Sequence, residues 1–108
     1  MRNDGERLSD ILEAIERIEK YAVRGRSAFE KDELIQVRMQ KNIEIIGEAC
    51  RAVSSEFKDL HANVPWRQII DMRHHLTHEY FGIDLEEVWI AVERDIPVLK
   101  QQVIDMLK

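Results

Sequence analysis

Apolar residues recur three and four places apart along almost the whole chain, and strict alternation is scarce. A repeat near 3.6 lays one apolar stripe along a helix, whereas a half-buried strand needs a repeat of two, so the spacing predicts an all-helical protein. Punctuation is sparse: two prolines and four glycines in 108 residues. No repeat, low-complexity stretch or linker interrupts the pattern, so residues 1–108 read as one helical domain. The first helix is expected from about Asp4 to Val23, with Leu8, Ile11, Leu12, Ile15, Ile18 and Ala22 on its stripe and Gly25 as its stop signal. On its wet side Glu13 with Arg17 and Glu16 with Lys20 are i,i+4 pairs in the favourable order.

The second helix has two plausible starts, Ser27 with Glu30 at capping-box spacing and Asp32, and the sequence does not choose between one long helix and a short turn followed by one. Its stripe of Ile35, Met39, Ile43, Ile46, Ala49, Cys50, Val53 and Phe57 predicts helix to about Glu56, then a loop from Lys58 to Val64. Pro65 suits the first position of a third helix that ends near Phe81, where Gly82 can close it. Asp84 and Glu87 form an acidic capping box, and Ile83 can staple onto Val88, so a tight antiparallel helical hairpin is expected. The fourth stripe is Leu85, Val88, Trp89, Val92, Ile96, Leu99, Val103 and Met106, with Pro97 expected to kink or break the helix near Arg94 or Asp95. The sum is an antiparallel four-helix bundle with a broken last helix. A bundle this small has a limited core, and its apolar faces are wide, so a homodimer that covers one of them is expected.

Composition narrows the function classes. Hydrophobic residues make up 44% and charged residues 34%, a globular and not a disordered balance. The net charge of −5 argues against a protein that coats nucleic acid through its overall field, and confines any RNA chemistry to a few placed residues. No apolar run is long enough for a membrane span, and Met1 to Arg7 lacks the apolar core of a secretory signal. Cys50 is the single cysteine, on an apolar helix face, and reads as packing and not as a nucleophile. Together these features predict a cytoplasmic protein.

Chemistry is concentrated in Met72-Arg73-His74-His75-Leu76-Thr77-His78-Glu79-Tyr80-Phe81-Gly82. On an ideal helix of about 100° per residue, Arg73 and Tyr80 fall on the apolar stripe, while Asp71, His74, His75 and His78 face the other way. A guanidinium on a buried stripe costs several kcal/mol unless it reaches water or has partners. Three readings compete. In one, Arg73 clamps a phosphate and His78 is a general acid or base, which suffices for metal-independent RNA cleavage by the adjacent 2′-hydroxyl. An ideal helix sets these two residues about 140° apart, so the helix must loosen near its end or the site must combine two subunits. In another, His74 and His78 at i,i+4, with Asp71, bind a metal, although the Glu of a hydrolytic His-Glu-x-x-His motif is absent. In the third, the histidines are a solvated polar face. Asn42 and its neighbour Arg38 either reach water at the edge of the second stripe or face a polar site or subunit contact.

Arg73-x-x-x-x-His78-x-Tyr80 resembles the signature of HepT-like toxins, a branch of the HEPN superfamily. Around it, Asn42-Ile43-Glu44-Ile45-Ile46-Gly47-Glu48-Ala49, Val64-Pro65-Trp66-Arg67-Gln68-Ile69-Ile70, Phe81-Gly82-Ile83-Asp84 with Val88-Trp89, and Asp95-Ile96-Pro97-Val98-Leu99 are similar to that family's blocks in the same order. The resemblance implies a HEPN-like helical fold and a homodimer with motif residues of both subunits at the interface. It implies a metal-independent endoribonuclease toxin that needs no cofactor, with Arg73 and His78 as catalytic residues acting on RNA. It also implies an MntA-like nucleotidyltransferase antitoxin that transfers AMP to Tyr80. His74, His75, Arg38, Asn42 and Glu48 are candidate auxiliaries. The resemblance equally allows a non-catalytic, nucleotide-binding or substrate-binding partner of such a nucleotidyltransferase.

Overall fold

The computed structural model describes the backbone of residues 3–78 and 82–108, and the side chains of 3–72 and 84–108. Helix α1, Asp4–Ala22, begins where Asn3 Oδ1 accepts from the Glu6 amide at 2.8 Å. Its stripe buries Leu8, Ile11, Ala14, Ile15 and Ile18. Gly25 then takes a φ of +87°, a conformation that costs a residue with a Cβ but not glycine, and the chain turns into a short helix α2, Gly25–Lys31. The choice left open by the sequence is therefore settled in favour of two helices. Ser27 lies inside α2, and Asp32 makes the break, its Oδ1 accepting from the amides of Leu34 and Ile35 at 2.9 and 3.4 Å to start α3, Glu33–Ala52.

The expected run of this helix to Glu56 does not occur. Val53 is extended, and Ser54 caps a separate helix α4, Ser55–Leu60, through its Oγ and the Phe57 amide at 3.2 Å. Serine competes for backbone donors in this way wherever something fixes it, and here the Asp4 carboxylate does so. Phe57 still packs inward, edge-on to Trp66 with ring centroids 6.4 Å apart. The Pro65 carbonyl accepts from the Ile69 amide at 3.0 Å as α5, Trp66–Leu76, begins, so the proline sits one place before the first helical residue.

A second expectation also fails. Helix α5 ends at Leu76 and not near Phe81. Thr77–His78 and Gly82–Ile83 are extended and pair antiparallel as β1 and β2, with Thr77 opposite Ile83 and His78 opposite Gly82. A two-residue antiparallel ladder therefore stands where a tight helical connection was expected. Asp84 then caps α6, Leu85–Ile90, accepting from the Glu87 amide at 3.1 Å, as its spacing predicts.

Pro97 acts as expected. Ala91–Asp95 form a π-helical turn in which the Ile96 amide bonds the Ala91 carbonyl, and α7, Ile96–Leu107, follows with the proline in its first turn. Pro97 has no amide to donate and its ring would crowd the carbonyl four residues back, so the ladder widens just ahead of it.

The resulting fold is an all-α bundle with one two-residue ladder among the described residues. Helix α1 packs on α3 and α7, and α3 packs on α5. Leu8, Ile11, Ile15, Ile18, Met39, Ile43, Ile46, Ile96 and Val103 are fully enclosed between these helices. Each such side chain contributes about 1.5–3 kcal/mol of transfer free energy. Lys100 Nζ ties α7 to α1 by donating to both Glu19 carboxylate oxygens at 2.9 and 3.1 Å.

Candidate functional site

The motif helix is set against α3 by close backbone approach. A Cβ on Gly47 would lie 3.6 Å from the Ile70 carbonyl oxygen and 3.7 Å from that of Ile69. Trp66 and Ile69 face the core, and the Trp66 indole donates to the His61 carbonyl at 3.0 Å. Asp71, the acid considered for a metal site with the histidines, has Oδ2 3.9 Å from Arg67 Nε one turn earlier on its own helix.

Arg73 lies in the last turn of α5, whereas His78 lies beyond the helix, in β1. The about 140° separation of an ideal helix therefore does not apply to this pair, and the loosening that a joint site requires is present in the backbone. The side chains of Arg73, His74, His75 and His78, the whole of Tyr80, and the staple expected between Ile83 and Val88 lie outside the described residues. What is described is how their backbone is held: α5 by α3 on one side, and His78 by its register with Gly82 on the other.

The candidates on α3 occupy different places. Arg38 is exposed. Asn42 does not reach water: it is 7% exposed, its Nδ2 donates to the Arg38 carbonyl at 2.8 Å, and its Oδ1 is buried without a hydrogen-bond partner among the described residues. Glu48 lines a groove of about 620 Å³ between α1 and α3, together with Arg7, Asp10, Arg17 and Lys41. On an ideal helix these three residues stand about 180°, 140° and 100° from Gly47, the position that meets α5.

A second groove, of about 470 Å³, runs beside α5 and is floored by Ile69, Met72, Ala91 and Leu99, with Val98 exposed near it. Asp71, Glu87 and Asp95 stand at its edge. Sequence patterning did not single out this surface, because it is assembled from positions on separate helices, of which only Leu99 was placed on a stripe above. Burial of Cys50 pushes its thiol up to about 12, so it stays protonated, as packing residues do. No helix among the described residues is long and apolar enough to cross a membrane.

Comparison with known proteins decides the family. The model of the family described as "Ribonuclease HepT-like" matches residues 11–106. The chain belongs to the HepT-like family. It is 41% identical over 102 residues to a protein of Thermococcus cleftensis named probable ribonuclease HepT, covering 92% of this chain and 91% of that one. It is 39% identical over 80 residues to a protein of Caldanaerobacter subterraneus (74% of this chain, 71% of that one) and 37% identical over 75 residues to one of Methanocaldococcus jannaschii (69% of each), both named "Putative RNase". No solved structure matches. The HEPN-like bundle expected from the sequence is the fold found, and family membership covers all four motif blocks.

Proposed function

We propose that this HepT-like protein is a metal-independent endoribonuclease, the toxin of a toxin–antitoxin pair. Arg73 holds the scissile phosphate through its guanidinium. His78 moves the proton: imidazole takes it from the 2′-hydroxyl, that oxygen attacks the adjacent phosphorus, and the 5′-oxygen leaves with a proton from an imidazolium, giving a 2′,3′-cyclic phosphate. Such acid–base help is worth about 10²–10⁴-fold. A second copy of the chain supplies the second imidazole, so that one is neutral while the other is charged. The largely apolar groove that the described residues form beside α5 supports this dimer, since it runs along the first turns of the motif helix and offers a surface to a second subunit.

The observation that carries the reading is the end of α5 at Leu76, which frees His78 from the helix that holds Arg73. Tyr80 is the AMP acceptor in this reading. Its phenol would attack the α-phosphorus of ATP on a partner nucleotidyltransferase, releasing pyrophosphate, and the added nucleotide would fill the cleft. The test is expression in a bacterial host: growth arrest with the wild type, relief with His78→Ala, and relief by co-expressed nucleotidyltransferase that fails for Tyr80→Phe. Equal growth with wild type and His78→Ala would favour a second reading, a non-catalytic partner of the nucleotidyltransferase. The net charge of −5 favours that reading, because an acidic surface repels RNA.

A further inference from the structure

Helix α2 looks like a spacer, yet it makes two side-chain contacts with α6, the helix that follows the motif hairpin. The Arg26 guanidinium bonds the Glu86 carboxylate through Nη2 while its Nε donates to Glu30 at 2.7 Å. One helical turn on, the buried Phe29 ring lies against Trp89 with centroids 5.4 Å apart and planes tilted by 36°. Positions 26 and 29, and 86 and 89, are i,i+3 neighbours, so two helix faces meet through one ionic and one apolar pair. α2 is itself anchored: Gln36 Nε2, from the first turn of α3, donates to the carbonyls of Phe29 and Glu30 at 2.9 and 3.2 Å. The far end of α6 is also tied down, where the Trp89 indole donates to Glu93 at 3.0 Å.

The path from this contact to the motif is short. Glu86 lies in the first turn of α6, just after the Asp84 cap. Gly82 and Ile83 immediately precede that cap, and Gly82 is the register partner of His78. Bond lengths and planar peptides leave little slack over four residues, so a shift of the start of α6 moves Gly82, and the ladder passes it to His78.

We infer that Arg26 is a positioning residue: through Glu86 it fixes the start of α6, and through the Gly82–His78 ladder it sets the placement of His78 for RNA cleavage. The inference rests on the proposed nuclease reading for its catalytic part only. Arg26 touches no reacting atom in this account.

The experiment measures cleavage of a labelled single-stranded RNA and amide hydrogen exchange of the peptide spanning 76–84, in wild type, Arg26→Ala, Arg26→Lys, Glu86→Gln and the double variant Arg26→Ala/Glu86→Gln. The expected result is a two- to fivefold fall in kcat with KM unchanged in Arg26→Ala and Glu86→Gln, about what an exposed ion pair supports. Arg26→Lys should recover most of it, and the double variant should be no worse than the worse single. Exchange in 76–84 should quicken by a similar factor while the melting temperature holds. Unchanged exchange in 76–84, or losses that multiply in the double variant, would overturn the inference. If the wild type cuts no RNA, the nuclease reading fails, and the exchange data alone still decide whether Arg26 holds the hairpin.

Discussion

Asp4 and Ser54, fifty residues apart, share two hydrogen bonds: one Asp4 oxygen accepts from the Ser54 amide at 2.9 Å and the other from its hydroxyl at 2.7 Å. The first turn of α1 thus holds the break between α3 and α4. These bonds hold the Asp4 carboxyl below its usual range, the Ser54 amide being the larger cause and its hydroxyl the next. A carboxylate with a depressed folded-state pKa stabilises fully above its unfolded value, about 3.9, and loses that contribution as pH falls through the folded value. Asp4→Asn should therefore lower the melting temperature at pH 7, and the gap to wild type should close in the acid range below pH 4. Thermal melts across pH check this; a gap that persists unchanged at pH 2 would refute it. Ser54→Ala, which also removes the α4 cap, should cost roughly 1 kcal/mol.

The periodic stripes in the sequence located the core well: Leu8, Ile11, Ile15, Ile18, Ile35, Met39, Ile43 and Ile46 are all buried. The breaks were less legible. Nothing local in Val53-Ser54 says that α3 must stop there, because the group that fixes Ser54 comes from Asp4. Leu76 likewise ends α5 because Thr77 and His78 find partners in Ile83 and Gly82, a pairing that apolar periodicity cannot encode. Pro97 was readable because its effect is covalent and local. At the candidate site, residue types and order were legible, while the escape of His78 from the helix appeared only as one of two ways out of an angular conflict.

Gly47 offers a packing test. Its missing Cβ would meet the carbonyls of Ile70 and Ile69 at ordinary contact distances of 3.6 and 3.7 Å, so alanine fits and longer side chains do not. Gly47→Ala should stabilise by up to about 1 kcal/mol through helix propensity. Gly47→Leu should destabilise by about 1–3 kcal/mol, as overpacking does. Urea denaturation of both variants checks the opposite signs.

Among the described residues Asn42 Oδ1 is buried with no partner, an arrangement that costs about 1–3 kcal/mol. Asn42→Leu, of similar volume, should raise stability by about 1 kcal/mol, whereas Asn42→Asp should lower it because ionising a buried group carries a desolvation cost. Denaturant midpoints measure both. A fall in cleavage with Asn42→Leu despite higher stability would identify a role in the reaction.

The dimer reading makes a sharper prediction. Where the two imidazoles come from the two copies, a mixed dimer of one wild-type and one His78→Ala chain keeps only one of them, so its cleavage should fall far below half the wild-type rate. Half the wild-type rate in dimers verified as mixed would show that each copy cleaves without its mate's imidazole.

The most direct test of the central claim is single-turnover cleavage of a labelled RNA by purified protein in excess EDTA, comparing wild type with Arg73→Ala and His78→Ala. The account predicts cleavage by the wild type to 2′,3′-cyclic phosphate ends, and losses of about 10²-fold or more in each variant. Equal rates in all three proteins, or cleavage abolished by EDTA and restored by a divalent metal, would contradict it.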